Sequence, residues 1–178
     1  MNSNFQTNDS ALSASGRFGR MSYLGWSFLS ALVFFIVAIV VVVLMIGTNP
    51  ESISGLSIPA MIIFLVLYIA FIYFTFVFTI RRLHDKNQSG WLSLVMLVPF
   101  INFFFLVYLC CAKGDEGTNN YGAPRVTKAW EKVLAWIYII TIPLMGVLTA
   151  ISIPAYQSYI ERAQLQQLEY QQQIEQSE

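Results

Sequence analysis

The stretch WLSLVMLVPFINFFFLVYLCC, from Trp91 to Cys111, decides how many times this chain crosses a lipid layer. As a helix, its 21 residues are long enough for a hydrocarbon core of roughly 30 Å. Pro99 and the polar Asn102 interrupt it at its middle, and Trp91 and Tyr108 stand near its ends. Two readings follow. Either a helix kinked at Pro99 crosses completely, or two arms of about ten residues each dip in and return around Pro99 to Asn102. Arms of that length are too short to span but suit a re-entrant hairpin, provided neighbouring helices shield the broken backbone.

Three further apolar blocks surround this one: Tyr23 to Ile46, Ile58 to Ile80 and Val133 to Tyr156. None of the four contains Asp, Glu, Lys, Arg or His. Across all 178 residues, 56% are hydrophobic and 11% charged, against about 25% charged in ordinary soluble domains. A soluble domain is excluded. The Val-rich centre of the first block would favour a strand in water, but in lipid every backbone group must be satisfied within the element, and a helix results. The first and second blocks then form a helical hairpin across the short segment 47–57. Phe64, Phe71 and Phe78, seven apart, with Tyr68 and Thr75 on nearly the same face, read as a packing or lipid-contact stripe. Pro143 and Pro154 lie inside the fourth block, with Trp130, Trp136, Tyr156 and Tyr159 as interfacial anchors.

The fold class expected is an all-α membrane protein of four apolar segments: three transmembrane helices plus the re-entrant or Pro-kinked third segment. Polar residues 1–15 are expected to be a mobile tail, the first span uncleaved, and the Gln-rich segment 157–178 an exposed helical extension. Adjacent Cys110 and Cys111 cannot pair in an ordinary disulfide.

Charge placement chooses between the two readings of the third block. Arg17 and Arg20 precede the first span; Arg81, Arg82 and Lys86 follow the second; Lys113, Arg125, Lys128 and Lys132 follow the third block; Arg162 alone lies in the tail. Four crossings divide these six to four, whereas a returning third block divides them nine to one. Basic residues gather on the cytoplasmic side. The returning hairpin is therefore preferred, with the N-terminus cytoplasmic and the C-terminus on the opposite side. The ten basic and ten acidic residues balance, so no global field points to nucleic acid.

Three polar signatures lie at the ends of these blocks: Gly16-Arg17-Phe18-Gly19-Arg20 with Tyr23 and Trp26; Arg81-Arg82-Leu83-His84-Asp85 with Ser89-Gly90-Trp91; and Gly114-Asp115-Glu116-Gly117 with Asn119, Tyr121, Gly122 and Pro124. Over about residues 16–125 they resemble the bacterial inner-membrane family called domain of unknown function 805. Leu24 and Ala123 depart from its usual pattern. The resemblance implies a multi-pass protein of the bacterial inner membrane and no chemistry. On the residues themselves, Arg17, Arg20, Arg81, Arg82, His84 and Asp85 should gather at the cytoplasmic face. There, guanidinium groups can hold a phospholipid headgroup or another anionic ligand, or else anchor and cap loops. Ser89, Gly90, Trp91, Gly114, Gly117, Asn119, Tyr121, Gly122 and Pro124 read as a structural loop motif.

A second resemblance covers about residues 146–164. Here an apolar run ends in Ile153-Pro154-Ala155-Tyr156 and continues as a polar helix, which is similar to the membrane helix of type IV pilins. Lys132 and Ile137 stand where that family has its cleavage-site glycine and intramembrane glutamate, so pilin processing and filament assembly are not expected. Gly146 and Ala150, with Pro154 and Tyr156, are candidate docking positions for pilin-like membrane helices.

Catalysis is poorly supplied. The chain has one histidine, and neither a phosphate loop, a metalloprotease motif nor a nucleophile elbow occurs. No cofactor, metal site or nucleic-acid partner is expected, and a homo-oligomer is not indicated. The functional expectation is a non-enzymatic envelope interaction or scaffold protein in contact with the bilayer. Headgroup or small-ligand binding, or passive transport, is the alternative.

Overall fold

The computed structural model describes residues 12–48 and 58–177. Most of the mobile tail expected over 1–15, and the connection from Asn49 to Ser57, lie outside the described residues. The helices are α1 (Arg20–Thr48), α2 (Ile58–His84), a 3-10 helix (Gly90–Leu97), α3 (Ile101–Cys111) and α4 (Ala129–Ser177). Every regular element among the described residues is a helix. Among the described residues, three stretches are long and apolar enough to cross a membrane: Arg20–Leu44, Ile58–His84 and Ala129–Leu168.

The chain divides into two compact units, Met1–Tyr138 and Ile139–Glu178. In the first, α1 and α2 pack against each other through aromatic rings, Phe34 on Phe71 at 4.9 Å and Trp26 on Phe78 at 5.7 Å. Two members of the stripe read from the sequence thus face α1, while Tyr68 is exposed. The buried apolar core is small: Phe18, Tyr23, Val77, Phe78, Leu83 and Leu109. It gathers at one end of the hairpin, and the middles of both helices present Phe35, Ile39, Leu65 and Ile69 outward. Such an outward apolar surface suits lipid, where exposing it costs nothing.

α2 ends where its dipole and its caps dictate. Arg81, Arg82 and His84 occupy the last turn, against the negative helix end. The backbone then reverses through Asn87 at φ +55°, with N–H donors of Lys86 and Gln88 both closing on Leu83 O. Asparagine tolerates this left-handed conformation better than most residues.

The third apolar block does not form one helix. The 3-10 helix stops at Leu97, Val98 is extended, Phe100 takes φ +64°, and α3 starts at Ile101. The break falls at Val98–Phe100, slightly ahead of the expected turn, and Asn102 is already in α3 with its N–H on Val98 O. At about 1.5 Å per residue, the 11 residues of α3 rise only about 16 Å. Both ends of the block lie against the end of α2. Gly90 packs on Ile80 and His84, while near Cys111 the guanidinium Nε of Arg82 donates to Leu109 O at 2.8 Å. Tyr108 Oη and Gln88 Oε1, 3.2 Å apart, tie the two ends together.

α1 and the first turn of α4 approach closely at Gly25. A Cβ there would lie 2.5 Å from the main-chain oxygen of Glu131. In the second unit, α4 runs through Pro143 and Pro154 without breaking and continues to Ser177. The polar part expected as a helical extension, from Gln157 onward, is helical.

Candidate functional site

The three polar signatures converge on one carboxylate. Asp85, the first residue past α2, is 5% exposed. Its Oδ1 accepts from Arg17 Nε at 3.2 Å and Nη2 at 3.1 Å, and its Oδ2 from Arg82 Nη1 at 2.5 Å. Both arginines are wholly buried. Two guanidinium charges share a single carboxylate, so the rest of their stabilisation has to come from main-chain carbonyl dipoles.

Those carbonyls are present. Arg17 Nη1 donates to Gly117 O at 2.7 Å and Gly122 O at 3.1 Å, and its Nη2 to Asp115 O at 2.5 Å and Asp85 O at 3.3 Å. Arg82 Nε donates to Leu109 O at 2.8 Å, Nη1 to Phe18 O at 3.3 Å, and Nη2 to Ala112 O. Arg17 therefore holds the loop after α3, and Arg82 holds the end of α3 and the entry to α1. Gly114 makes room for this: a Cβ there would fall 1.9 Å from Asp85 Oδ2, so no side chain fits. Gly122, at φ +110°, supplies a backbone conformation that other residues rarely adopt.

The remaining sequence-nominated residues are divided. Arg81 lies with its guanidinium carbon 3.8 Å from the centre of the Phe18 ring, while its main-chain oxygen accepts from Phe18 N at 2.9 Å. His84 stacks on Tyr121, ring centres 3.7 Å apart and 7° from parallel. Asn119 Nδ2 donates to His84 O at 2.8 Å and to Asp115 Oδ2 at 3.2 Å, and Asn119 and Gly122 exchange main-chain hydrogen bonds at 3.1 and 3.0 Å. Ser89 Oγ accepts from Trp91 N at 3.4 Å, capping the 3-10 helix. Trp91 and Pro124 are exposed. Arg20 differs from its three partners: it is exposed, and its Nη1 reaches Cys111 O at 3.5 Å. Exposed Lys113 pairs with Glu116, whose carboxyl is held below its ordinary range chiefly by the hydrogen bond from that ammonium.

A second buried carboxylate escaped the sequence reading. Glu131, in the first turn of α4, is fully buried and accepts from Trp26 Nε1 at 3.0 Å, Ser22 Oγ at 2.9 Å and Lys128 N at 3.1 Å. Arg125 grips it with both Nη atoms, at 2.8 and 2.6 Å. The bond to Lys128 N is half of a capping box, in which the third helical residue satisfies the donor at the cap. The available signal was that Glu131 is the sole acid between Gly117 and Ile160.

Chemically, this face is a charge-paired clasp. The donors of Arg17 and Arg82 already point at protein acceptors, and a ligand phosphate reaching them would have to displace Asp85 or those carbonyls. Among the described residues no group of three His, Cys, Asp or Glu is arranged to hold a metal ion. The helix-docking candidates Gly146, Ala150, Pro154 and Tyr156 all lie on α4 in the second unit, and all are exposed. A Cβ on Gly146 would meet nothing within 4 Å.

Comparison with known proteins agrees with these signatures. Inner membrane protein YhaI of Escherichia coli K12 is 31% identical over 114 residues, which cover 61% of this chain and 81% of that protein. Inner membrane protein YhaH of the same strain is 40% identical over 42 residues, or 24% of this chain and 35% of that protein. No solved structure matches. The matched region of the family described as protein of unknown function (DUF805) is residues 11–123, which takes in all of the clasp except the Arg125–Glu131 pair, and the chain belongs to that family.

Proposed function

We propose that the chain is a non-enzymatic interaction module of the bacterial inner membrane, in which the clasp fixes a rigid membrane base and α4 is offered laterally to other membrane helices. The observation that carries this reading is the internal use of Arg17, Arg82 and Asp85. A cationic face built for a ligand keeps its donors available, whereas these are spent on holding three chain segments together. The third apolar block fits a re-entrant hairpin, since its two ends share one end of α2 and neither arm is long enough to cross. With the basic loops on the cytoplasmic side, the N-terminus is inside and the polar tail outside. The helical residues from Gln157 to Ser177 then add about 30 Å of polar helix beyond the bilayer.

The partner we favour is a pilin-like helix packing on Gly146 and Ala150, where small residues allow backbones to approach. With Cys110→Ser and Cys111→Ser in the background, Ala150→Cys should form a disulfide with a co-expressed single-span helix ending in a pilin-like Ile-Pro-Ala-Tyr run and bearing one cysteine. Gly146→Leu should lower that yield several-fold. Absence of the mixed disulfide, while the partner helix crosslinks to itself, would remove the docking reading.

Headgroup recognition at Arg17, Arg20, Arg81, Arg82, His84 and Asp85 is the second reading. It is favoured by one feature, the exposed guanidinium of Arg20, which reaches Cys111 O two residues ahead of exposed Lys113.

A further inference from the structure

The last turn of α2 and the start of the 3-10 helix leave between them an open cavity of about 460 Å³, whose walls include Phe76, Ile80, His84, Gly90, Trp91 and Ser93. Its one ionisable wall residue is His84. The two ring nitrogens of His84 are differently placed. Nδ1 lies 3.3 Å from Gly16 O, and because a carbonyl only accepts, Nδ1 carries the proton in the neutral ring. Nε2 then presents a lone pair. It is turned towards Gly90, where a Cβ would come within 3.3 Å of it and 2.9 Å of Ile80 Cγ2. Glycine at this position therefore leaves the nitrogen uncovered, and no hydrogen bond to it occurs among the described residues.

An acceptor set in an apolar wall is costly unless a donor reaches it. The rest of the cavity indicates what kind of donor fits. Phe76 and Ile80 supply an apolar wall along α2 and suit a hydrocarbon body. Buried Ser93 adds a hydroxyl, and Trp91, 80% exposed, offers an indole face that can receive a cation. An aromatic residue of this kind belongs at the headgroup level of a bilayer.

We propose that this cavity takes a primary-ammonium lipid headgroup, one N–H of which donates to His84 Nε2 while the charge rests against Trp91 and the hydrocarbon follows Phe76 and Ile80. This site shares His84 with the arginine face, but no arginine lines it. There, phosphate would be the recognised group; here, recognition depends on an N–H donor. Phosphatidylethanolamine and phosphatidylcholine carry the same phosphate and the same net charge, and differ in that choline has no N–H. The pair therefore separates this proposal from the headgroup reading at Arg20, which predicts no difference between them.

Because the chain has one histidine, nitrogen-15 labelling of histidine gives one resonance for each ring nitrogen. The full chain is placed in nanodiscs at about pH 8, above the ordinary histidine pKa of about 6.5. In phosphatidylcholine the spectrum should report the Nδ1-protonated tautomer, and adding phosphatidylethanolamine should move the Nε2 resonance upfield. Leu94→Trp, at a half-exposed wall position, fills the cavity without touching the core and should abolish the shift. Free ethanolamine added to phosphatidylcholine discs should leave Nε2 where it was. An Nε2-protonated tautomer, identical spectra in the two lipids, or a shift that survives Leu94→Trp would overturn the proposal. A shift produced by free ethanolamine would overturn its assignment to a lipid.

Discussion

Replacing Asp85 by Ala is expected to cost about 3–5 kcal/mol of stability, enough to deplete the folded protein from the membrane. The carboxylate is the one anion between two buried guanidinium groups, and arginine cannot shed its proton to escape. Its loss leaves both charges facing only carbonyl dipoles, and frees three segments at once: the entry to α1, the end of α3 and the glycine-containing loop. Asp85→Asn should be nearly as damaging, since an amide keeps the volume but turns one N–H₂ towards a guanidinium. The measurement is the unfolding free energy in micelles or bicelles, together with the level of membrane-inserted protein. A loss below about 1 kcal/mol for Asp85→Ala would show that the clasp contributes little, in line with a surface ion pair.

Glu131→Ala is the second large effect, again expected at about 3–5 kcal/mol. It strands the Arg125 guanidinium, the Trp26 indole N–H and the Lys128 amide together. The cost here arises mostly from what is left unpaired, because buried ion pairs often contribute little net stability relative to apolar residues of similar size. Glu131→Met combined with Arg125→Met should therefore recover a large part of what either single change loses. Thermal midpoints of the two single variants and the double variant form the test. Purely additive losses would mean that the two side chains act separately.

Much of the architecture was legible because lipid imposes a length. Runs such as Tyr23–Ile46 and Ile58–Ile80 have one viable conformation in hydrocarbon: α1 covers the first with two or three residues to spare at each end, and α2 begins with the second and continues four residues past it. Pro99 was legible too, since it cannot donate a helical hydrogen bond, and the backbone breaks beside it. The grouping of Arg17, Arg81, Arg82, His84 and Asp85 followed from their positions at helix ends. Their division of labour did not. Arg17 and Arg20 are alike as sequence, yet Arg17 precedes α1 in a non-helical segment and is buried, while Arg20 opens the helix and stays exposed. What separates them is the position of the carbonyls of Asp115, Gly117 and Gly122, about a hundred residues away, which no local pattern encodes. Glu131 was missed for a related reason. A lone acid beside Trp130 at the start of an apolar run looks like an ordinary interfacial residue, and its partners Ser22 and Trp26 lie on another helix. Arg125, counted among the basic residues that orient the chain, is in fact paired with it.

The clasp requires both ends of the proline-broken block to emerge at one membrane face, and thiol labelling tests this directly. In a chain carrying Cys110→Ser and Cys111→Ser, single cysteines are placed at exposed Ser89 and Thr118, on either side of the block. A membrane-impermeant reagent should modify both from the same side of sealed, oriented vesicles and neither from the other. Modification of the two positions from opposite sides would contradict the account.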